Sequence, residues 1–291
     1  MSPGAVLRRG GWLAGVALTG CLYLNTVYNA RRLYEDADAA LWAGRDTAVL
    51  GMYQGVIERA REAYAEDPDG PWADDALLLE GRAHLRRREW PEAERALRRA
   101  FETTPDPEVR AEARLYLGAL AVARGQAARG LPMLDEALRG PLTPEVRGEG
   151  HLWRARALLA TGQIGQAWWD LDRATAVDGR YRVPADLERL AWSVAIDDTA
   201  RARDAARGLF ENAGARTRGD SVRALLAAAV ERWGPARALA VLDRAEHARW
   251  SRVQRDALLL FRGQVARRAG DTVRAVADLE RVAGGAGAIA R

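Results

Sequence analysis

The amino-acid sequence predicts an all-α protein made of antiparallel helix pairs that stack in chain order, about seven pairs in all. Three observations predict this class. Alanine, leucine, arginine and glutamate, which favour helices, dominate a chain of 291 residues with 48% hydrophobic content. Similar segments that each carry a leucine recur at a spacing of 37 residues. Turn-forming residues separate the two helices of a pair.

The first 20 residues have the three-part organisation of a secretory signal. A basic start with Arg8 and Arg9 precedes an apolar core from Trp12 to Leu18, and two small residues follow. The core is shorter than the roughly 20 apolar residues that a membrane-crossing helix needs. Residues 1–20 are therefore predicted to be a signal peptide.

The sequence LTGC at 18–21 resembles the lipobox of bacterial lipoproteins, and its Cys21 is the single cysteine of the chain. The resemblance implies cleavage between Gly20 and Cys21 and lipid attachment at Cys21. Several acyl chains bury enough methylene groups to hold a protein at a membrane permanently. A second interpretation stays open, because the apolar stretch continues past Cys21 to Val27. On that interpretation an uncleaved helix from Gly11 onward spans a membrane and holds a structural subunit of a larger complex.

The second helix of each unit carries a leucine in a fixed register. The segments PEAERALRRA (91–100), GLPMLDEALR (130–139) and GQAWWDLDRA (165–174) show it. The leucines are Leu97, Leu134, Leu171, Leu242 and Leu279, and Ala206 fills the one double gap. A small residue stands four positions before each of them, and an apolar residue follows three positions after. Each second helix is therefore predicted to bury the same face.

The first helix of each unit has a small residue sixteen positions before that leucine. It is Gly81, Gly118, Ala155 or Gly263, with Leu226 as an exception. Such a residue lets two helices come close together, and we expect the alanine of the second helix to pack against it. The turns between paired helices are predicted at residues 43–46, Gly125, Gly162, Gly234 and Gly270.

These positions resemble the tetratricopeptide repeat over most of residues 30–285. The matching features are a small eighth residue, alanines at positions twenty and twenty-seven, a large residue at twenty-four and a closing proline, as at Pro68 and Pro105. The resemblance implies a right-handed superhelical solenoid with a concave binding surface. The period of 37 residues in place of 34, and the missing first-helix aromatics, leave open a looser helical-hairpin solenoid or an irregular helical bundle.

The resemblance also implies that the first-helix residues at the second, fifth and ninth positions of each repeat unit line the concave groove. These positions hold the acids Asp75, Glu112 and Glu149, the leucines Leu78, Leu115 and Leu152, and the arginines Arg82 and Arg156. An apolar row between charged rims suits an extended or helical peptide of a partner protein. The alternative is that the leucines only seal adjacent helix pairs.

Two adjacent tryptophans, Trp168 and Trp169, lie on a predicted second helix. Neighbouring helical residues cannot face the same way. We therefore expect one of them to pack and the other to be exposed, where it would be a candidate for partner binding.

Charge and motifs argue against nucleic-acid binding and catalysis. All 44 basic residues are arginines, and 40 acidic residues reduce the net charge to +4 without a one-sided basic region. His84, His151 and His247 lack the spacing of a metal site, and no GxSxG motif surrounds a serine. We expect no enzyme activity, no cofactor or metal, and no small-molecule substrate.

The predicted domain order is a signal peptide (1–20), a lipidated anchor and linker (21–29), a repeat domain (30–285) and a flexible tail (286–291). The expected function is a lipid-anchored periplasmic scaffold that binds other envelope proteins or peptides in outer-membrane assembly or maintenance. It is distantly similar in plan to the BamD-like repeat lipoproteins. The expected location is the inner leaflet of the outer membrane, facing the periplasm, because Leu22 follows the cysteine where an aspartate would favour the inner membrane.

Overall fold

A computed structural model of the chain describes residues 11–44, 46–212 and 218–289. Fourteen α-helices make up most of this part, and no β-strand occurs in it. The helices are α1 (Gly11–Trp42), α2 (Asp46–Glu66), α3 (Ala73–Arg87), α4 (Trp90–Thr103), α5 (Pro107–Ala123), α6 (Ala127–Arg139), α7 (Pro144–Ala160), α8 (Ile164–Val177), α9 (Arg182–Ala195), α10 (Thr199–Glu211), α11 (Gly219–Trp233), α12 (Pro235–Ala245), α13 (Arg252–Arg268) and α14 (Thr272–Ile289), with a short 3-10 helix at Gly179–Tyr181. In chain order they form seven successive pairs. The predicted all-α repeat fold of about seven units is confirmed.

The helices are grouped into two compact units, where the sequence predicted one repeat domain. The first unit comprises residues 1–41 and 45–146, and the second comprises residues 42–44 and 147–291. Helices α2 to α6 lie within the first unit, and α8 to α14 lie within the second. Each unit has its own buried apolar cluster, around Tyr53 in the first and around Phe210 in the second.

The helix α1 runs without a break across the predicted linker boundary at residue 29. Val27 and Ala30 are both buried in the core of the first unit, beside Tyr34 and Tyr53. Residues 27–29 are therefore part of a packed helix and not a linker. The side chains of residues 11–25 lie outside the described ones, so cleavage and lipidation at Cys21 stay predictions. Among the described residues, no helix combines the length and apolarity needed to cross a bilayer.

The other end of the chain also differs from the prediction. Helix α14 continues to Ile289, so residues 286–289 of the predicted flexible tail are helical. Residues 290 and 291 lie outside the described part.

Close approach of paired helices occurs where the small first-helix residues predicted it. A Cβ atom on Gly81 would lie 2.6 Å from Leu97 Cγ, and one on Gly118 would lie 2.9 Å from Leu134 Cγ. The last pair repeats this geometry, because a Cβ atom on Gly263 would lie 3.0 Å from Leu279 Cγ. The expected partner was the alanine of the second helix, but the leucine itself covers the glycine. The leucine side chain is long enough to reach across the pair, whereas an alanine methyl group is not.

The predicted turns between helices are confirmed. The glycines at 44, 125, 162, 234 and 270 all adopt φ between 77° and 80°. Residues with a Cβ atom rarely adopt this conformation, so glycine ends these helices at low cost.

Candidate functional site

The three leucines predicted to line a groove are buried. Leu78 is 4% exposed, and Leu115 and Leu152 are 0% exposed. A side chain without accessible surface cannot contact a partner unless the helices separate. The alternative role left open by the sequence, sealing adjacent helices, accounts for all three leucines.

The arginine predicted at the ninth position of α3 is held inside the first unit. Arg82 Nη1 lies 2.5 Å from Glu112 Oε1 on α5. The Arg82 guanidinium also lies between two rings, 4.2 Å from the Tyr34 centroid and 4.7 Å from the Tyr116 centroid. Two cation–π contacts and a charged hydrogen bond replace part of the hydration that this group loses, although Arg82 Nε is buried without a hydrogen-bond partner among the described residues. Arg82 therefore connects α1, α3 and α5.

The same kind of pair joins the preceding first helices. Arg31 Nη2 on α1 lies 2.5 Å from Asp75 Oδ1 at the second position of α3. Burial raises the pKa of Asp75, although Arg31 acts in the opposite direction. A second pair, Arg86 Nη2 with Asp38 Oδ2 at 2.8 Å, also joins α1 to α3, so arginine–carboxylate pairs connect the successive first helices of this unit.

The second unit uses its predicted groove charges in a similar way. Arg156 Nε on α7 lies 2.6 Å from Glu188 Oε1 on α9, and its guanidinium lies 4.6 Å from the centroid of the Trp153 ring. Trp153 Nε1 donates to Glu149 Oε1 at 3.0 Å. Charges predicted to meet a ligand therefore align neighbouring repeats instead.

A buried network joins α7 to α8, and the sequence reasoning missed it. Arg154 donates two hydrogen bonds of 2.8 Å to the fully buried Asp170, and His151 Nδ1 lies 2.7 Å from the same carboxylate. A second pair occupies the same repeat positions 108 residues later, where Arg262 contacts Asp278 at 2.5 and 2.7 Å. The signal was an arginine directly before the small first-helix residue together with an aspartate directly before the second-helix leucine.

Trp169 is the exposed member of the tryptophan pair, as the helix geometry predicted. Its side chain on α8 is 53% exposed, whereas Trp168 is half-buried. The guanidinium groups of Arg173 and Arg154 lie 5.3 Å and 5.9 Å from the Trp169 ring, and the His151 ring meets it edge-on at 5.9 Å. A large aromatic surface is thus held in a fixed orientation beside two cations.

A family model describes one segment of the chain. Residues 50–115 match the model described as "Tetratricopeptide repeat". This segment is similar to the tetratricopeptide repeat. It begins in α2, includes the whole pair of α3 and α4, and ends in α5.

Two solved structures resemble most of the chain at low sequence identity. One is PilW, described as a widely conserved type IV pilus biogenesis factor, with 17% identity, a TM-score of 0.49 and coverage of 86% of this chain and 90% of that one. The other is a tetratricopeptide repeat protein from Parabacteroides merdae, with 16% identity, a TM-score of 0.46 and coverage of 88% and 92%. A search of curated proteins returned no match.

Within the tetratricopeptide repeat segment, the polar groups of the predicted groove are used for packing. Arg82 is half-buried and bonded to the buried Glu112, and His84 is buried with Nδ1 2.6 Å from Glu89 Oε2. Among the described residues of the chain, no group of three or more histidine, cysteine or acidic side chains is placed to hold a metal ion. The exposed group best suited to contact another molecule is Trp169, which lies outside this segment.

Proposed function

We propose that this protein is a lipid-anchored scaffold that binds other proteins at the bacterial cell envelope. The observation that carries protein binding is the exposed, oriented ring of Trp169. The proposal assigns no catalytic role to the chain.

Trp169 has the properties of a binding hot spot. Tryptophan contributes a large apolar area with few rotatable bonds, and it dominates the binding energy of many protein interfaces. Arg154 is fixed by its two bonds to Asp170, so one side of the ring is supported before a partner arrives. Binding of a partner at Trp169 therefore costs little conformational entropy, because this surface is already ordered.

Protein binding is tested by crosslinking from position 169 in intact cells. A photoreactive amino acid replaces Trp169 in one strain and Val273, which is 81% exposed on α14, in a matched control strain. We expect a discrete adduct with an identifiable envelope protein from position 169 and none from position 273. Equal or absent adducts at both positions would exclude Trp169 as the contact surface.

A substitution complements the crosslink. Trp169→Ala should reduce co-purification of the identified partner about tenfold or more. It should shift the melting temperature by no more than about 2 °C, because the side chain is exposed. Val273→Ala should leave co-purification unchanged. Undiminished capture by Trp169→Ala would contradict the proposed role.

The lipid anchor is supported by the LTGC sequence at 18–21 and the basic and apolar residues before it. Mass spectrometry of the membrane-derived amino-terminal peptide should show a Cys21 that carries three acyl chains, in a protein that cosediments with outer-membrane vesicles. Cys21→Ala should remove the lipid and leave the precursor uncleaved. An intact Met1 in the wild-type protein would instead establish the uncleaved-helix alternative.

A further inference from the structure

A small cleft opens between α11 and α13, the first helices of the last two repeats. Its volume is about 190 Å³. Leu226, Phe261 and Val265, all buried, form its floor, and the half-buried Ala227 and Val230 line its wall. Pockets for whole small-molecule ligands have about 300–1,000 Å³. This cleft is therefore the size of one apolar side chain.

The rim of the cleft is cationic. Arg223, Arg267 and Arg268 line it, and among the described residues no carboxylate does. Arg267 and Arg268 are exposed in the last turn of α13, and neither forms an ion pair with a described residue. Arg223 contacts Asp220 one turn earlier, but that aspartate side chain is 96% exposed and offers only a weak, solvent-screened pair.

The arginine–carboxylate pairs that two earlier repeats carry on this face are missing at the cleft. At the ninth position of their repeat units, α3 and α7 hold Arg82 and Arg156, which reach a glutamate on the next first helix. The corresponding residues of α11 and α13 are Ala227 and Gln264. Neither can form an arginine–carboxylate pair, so no such pair covers the half-buried Ala227 and Val230 in the wall of the cleft.

We propose that this cleft binds a segment of a partner protein in which one apolar side chain is flanked by aspartates or glutamates. The apolar side chain occupies the floor over Phe261 and Leu226. The flanking carboxylates pair with Arg223, Arg267 and Arg268, which gives the site its charge preference. This inference rests on the proposed function and specifies one sequence class that the scaffold recognises.

The probe is a random twelve-residue peptide library on phage, selected against the full chain in detergent. We expect enriched peptides to carry a leucine, phenylalanine or similar residue between acidic residues. The strongest peptide is then synthesised with a fluorescent label, and its dissociation constant is measured by anisotropy at low and high salt. Raising the ionic strength should weaken binding, because the rim is exposed to solvent.

Variants locate the binding to the cleft. Arg267→Glu with Arg268→Glu should raise the dissociation constant at least tenfold, and Ala227→Leu, which narrows the cleft, should also weaken binding. The matched control is Arg232→Glu with Arg281→Glu, which changes the net charge equally at exposed residues that do not line the cleft. It should alter the dissociation constant less than twofold. Circular dichroism verifies that all variants are folded.

Several results would overturn the inference. These are no enrichment of peptides, enrichment of basic or uncharged peptides, or equal binding by the double charge reversal at 267 and 268. Binding of anionic phospholipid vesicles that depends on these two arginines, without peptide binding, would assign the cleft to a membrane surface. If sedimentation showed a dimer, and the charge reversal at 267 and 268 dissociated it, the cleft would be assigned to contact with a second copy of the chain. If the crosslink from position 169 were still observed in any of these cases, the inference about the cleft would fail, but the proposed scaffold function would not.

Discussion

At the residue scale, charged side chains that the sequence placed at a binding groove stabilise the fold instead. Arg82 shows why a sequence pattern cannot decide between these roles. The pattern identifies a charge at the ninth position, but the pairing depends on Glu112, 30 residues away, and on two tyrosine rings from different helices. A charge that is matched inside the protein is not available to a ligand.

Removing Arg82 should therefore cost stability and not binding. We expect Arg82→Ala to lower the free energy of unfolding by about 3–5 kcal/mol, because Glu112 would remain buried without its partner. Urea denaturation measures this change. The control Arg129→Ala removes an exposed arginine 3.8 Å from Glu94 and should cost less than about 1 kcal/mol. If both variants lost a similar amount of unfolding free energy, the Arg82–Glu112 pair would contribute no more to stability than an exposed arginine does.

Asp186 on α9 gives the fold a pH dependence. Burial raises its pKa to about 6, Glu211 adds to the rise, and Arg189 and Arg182 oppose it. Arg189 Nη1 donates to Asp186 Oδ1 at 2.8 Å. The folded state binds the Asp186 proton more tightly than the unfolded chain, whose aspartate pKa is about 3.9. The proton bound to Asp186 therefore stabilises the folded state below about pH 4, and this stabilisation is lost as the pH rises through 6.

The expected size follows from a pKa difference of about two units. Between pH 4 and pH 7, the wild-type protein should lose about 3 kcal/mol of unfolding free energy relative to Asp186→Asn. Denaturation curves of both proteins at several pH values test this. Parallel stability profiles would mean that Asp186 does not titrate in the folded protein near pH 6.

At the scale of the elements, helix pairing depends on small residues at defined positions. The α5–α6 pair shows a close backbone approach, where a Cβ atom on Gly130 would lie 2.7 Å from the Gly118 carbonyl oxygen. The obstructing atom belongs to the backbone and cannot rotate away. The sequence identified both glycines as small-residue positions, but only the packed pair shows that they face each other.

Gly130→Ala should consequently destabilise the protein by about 1–3 kcal/mol through overpacking. The control Gly165→Ala is also helical, but no atom lies within 4 Å of its added methyl group. It should be neutral or stabilising by up to about 1 kcal/mol. Thermal unfolding followed by circular dichroism measures both. A destabilisation of the same size at Gly165 would show that the loss at Gly130 does not come from its close contact with Gly118.

At the scale of the whole molecule, stability should be distributed along the chain. In a repeat array each helix pair contacts mainly its neighbours, so damage spreads only over a short distance. The division into two compact units, each with its own apolar cluster, favours the same behaviour.

Leu134→Asp tests this distribution, because Leu134 is completely buried in α6 and a buried unpaired charge disrupts packing. Hydrogen exchange followed by mass spectrometry should show lost protection in residues 107–139. Residues 219–268 should keep most of theirs. A uniform loss of protection over both segments would show one cooperative unit instead.

The sequence by itself determined the helix pairs, their register and the turns between them. These depend on local patterns: leucines that recur mostly at a spacing of 37 residues, a small residue sixteen positions before most of them, and glycines that adopt positive φ. The tertiary structure decided which side chains remain on the surface. Leu115 and Arg82 became interior groups and Trp169 stayed outside, because burial and charge pairing depend on how neighbouring helices face each other, and no local pattern contains that information.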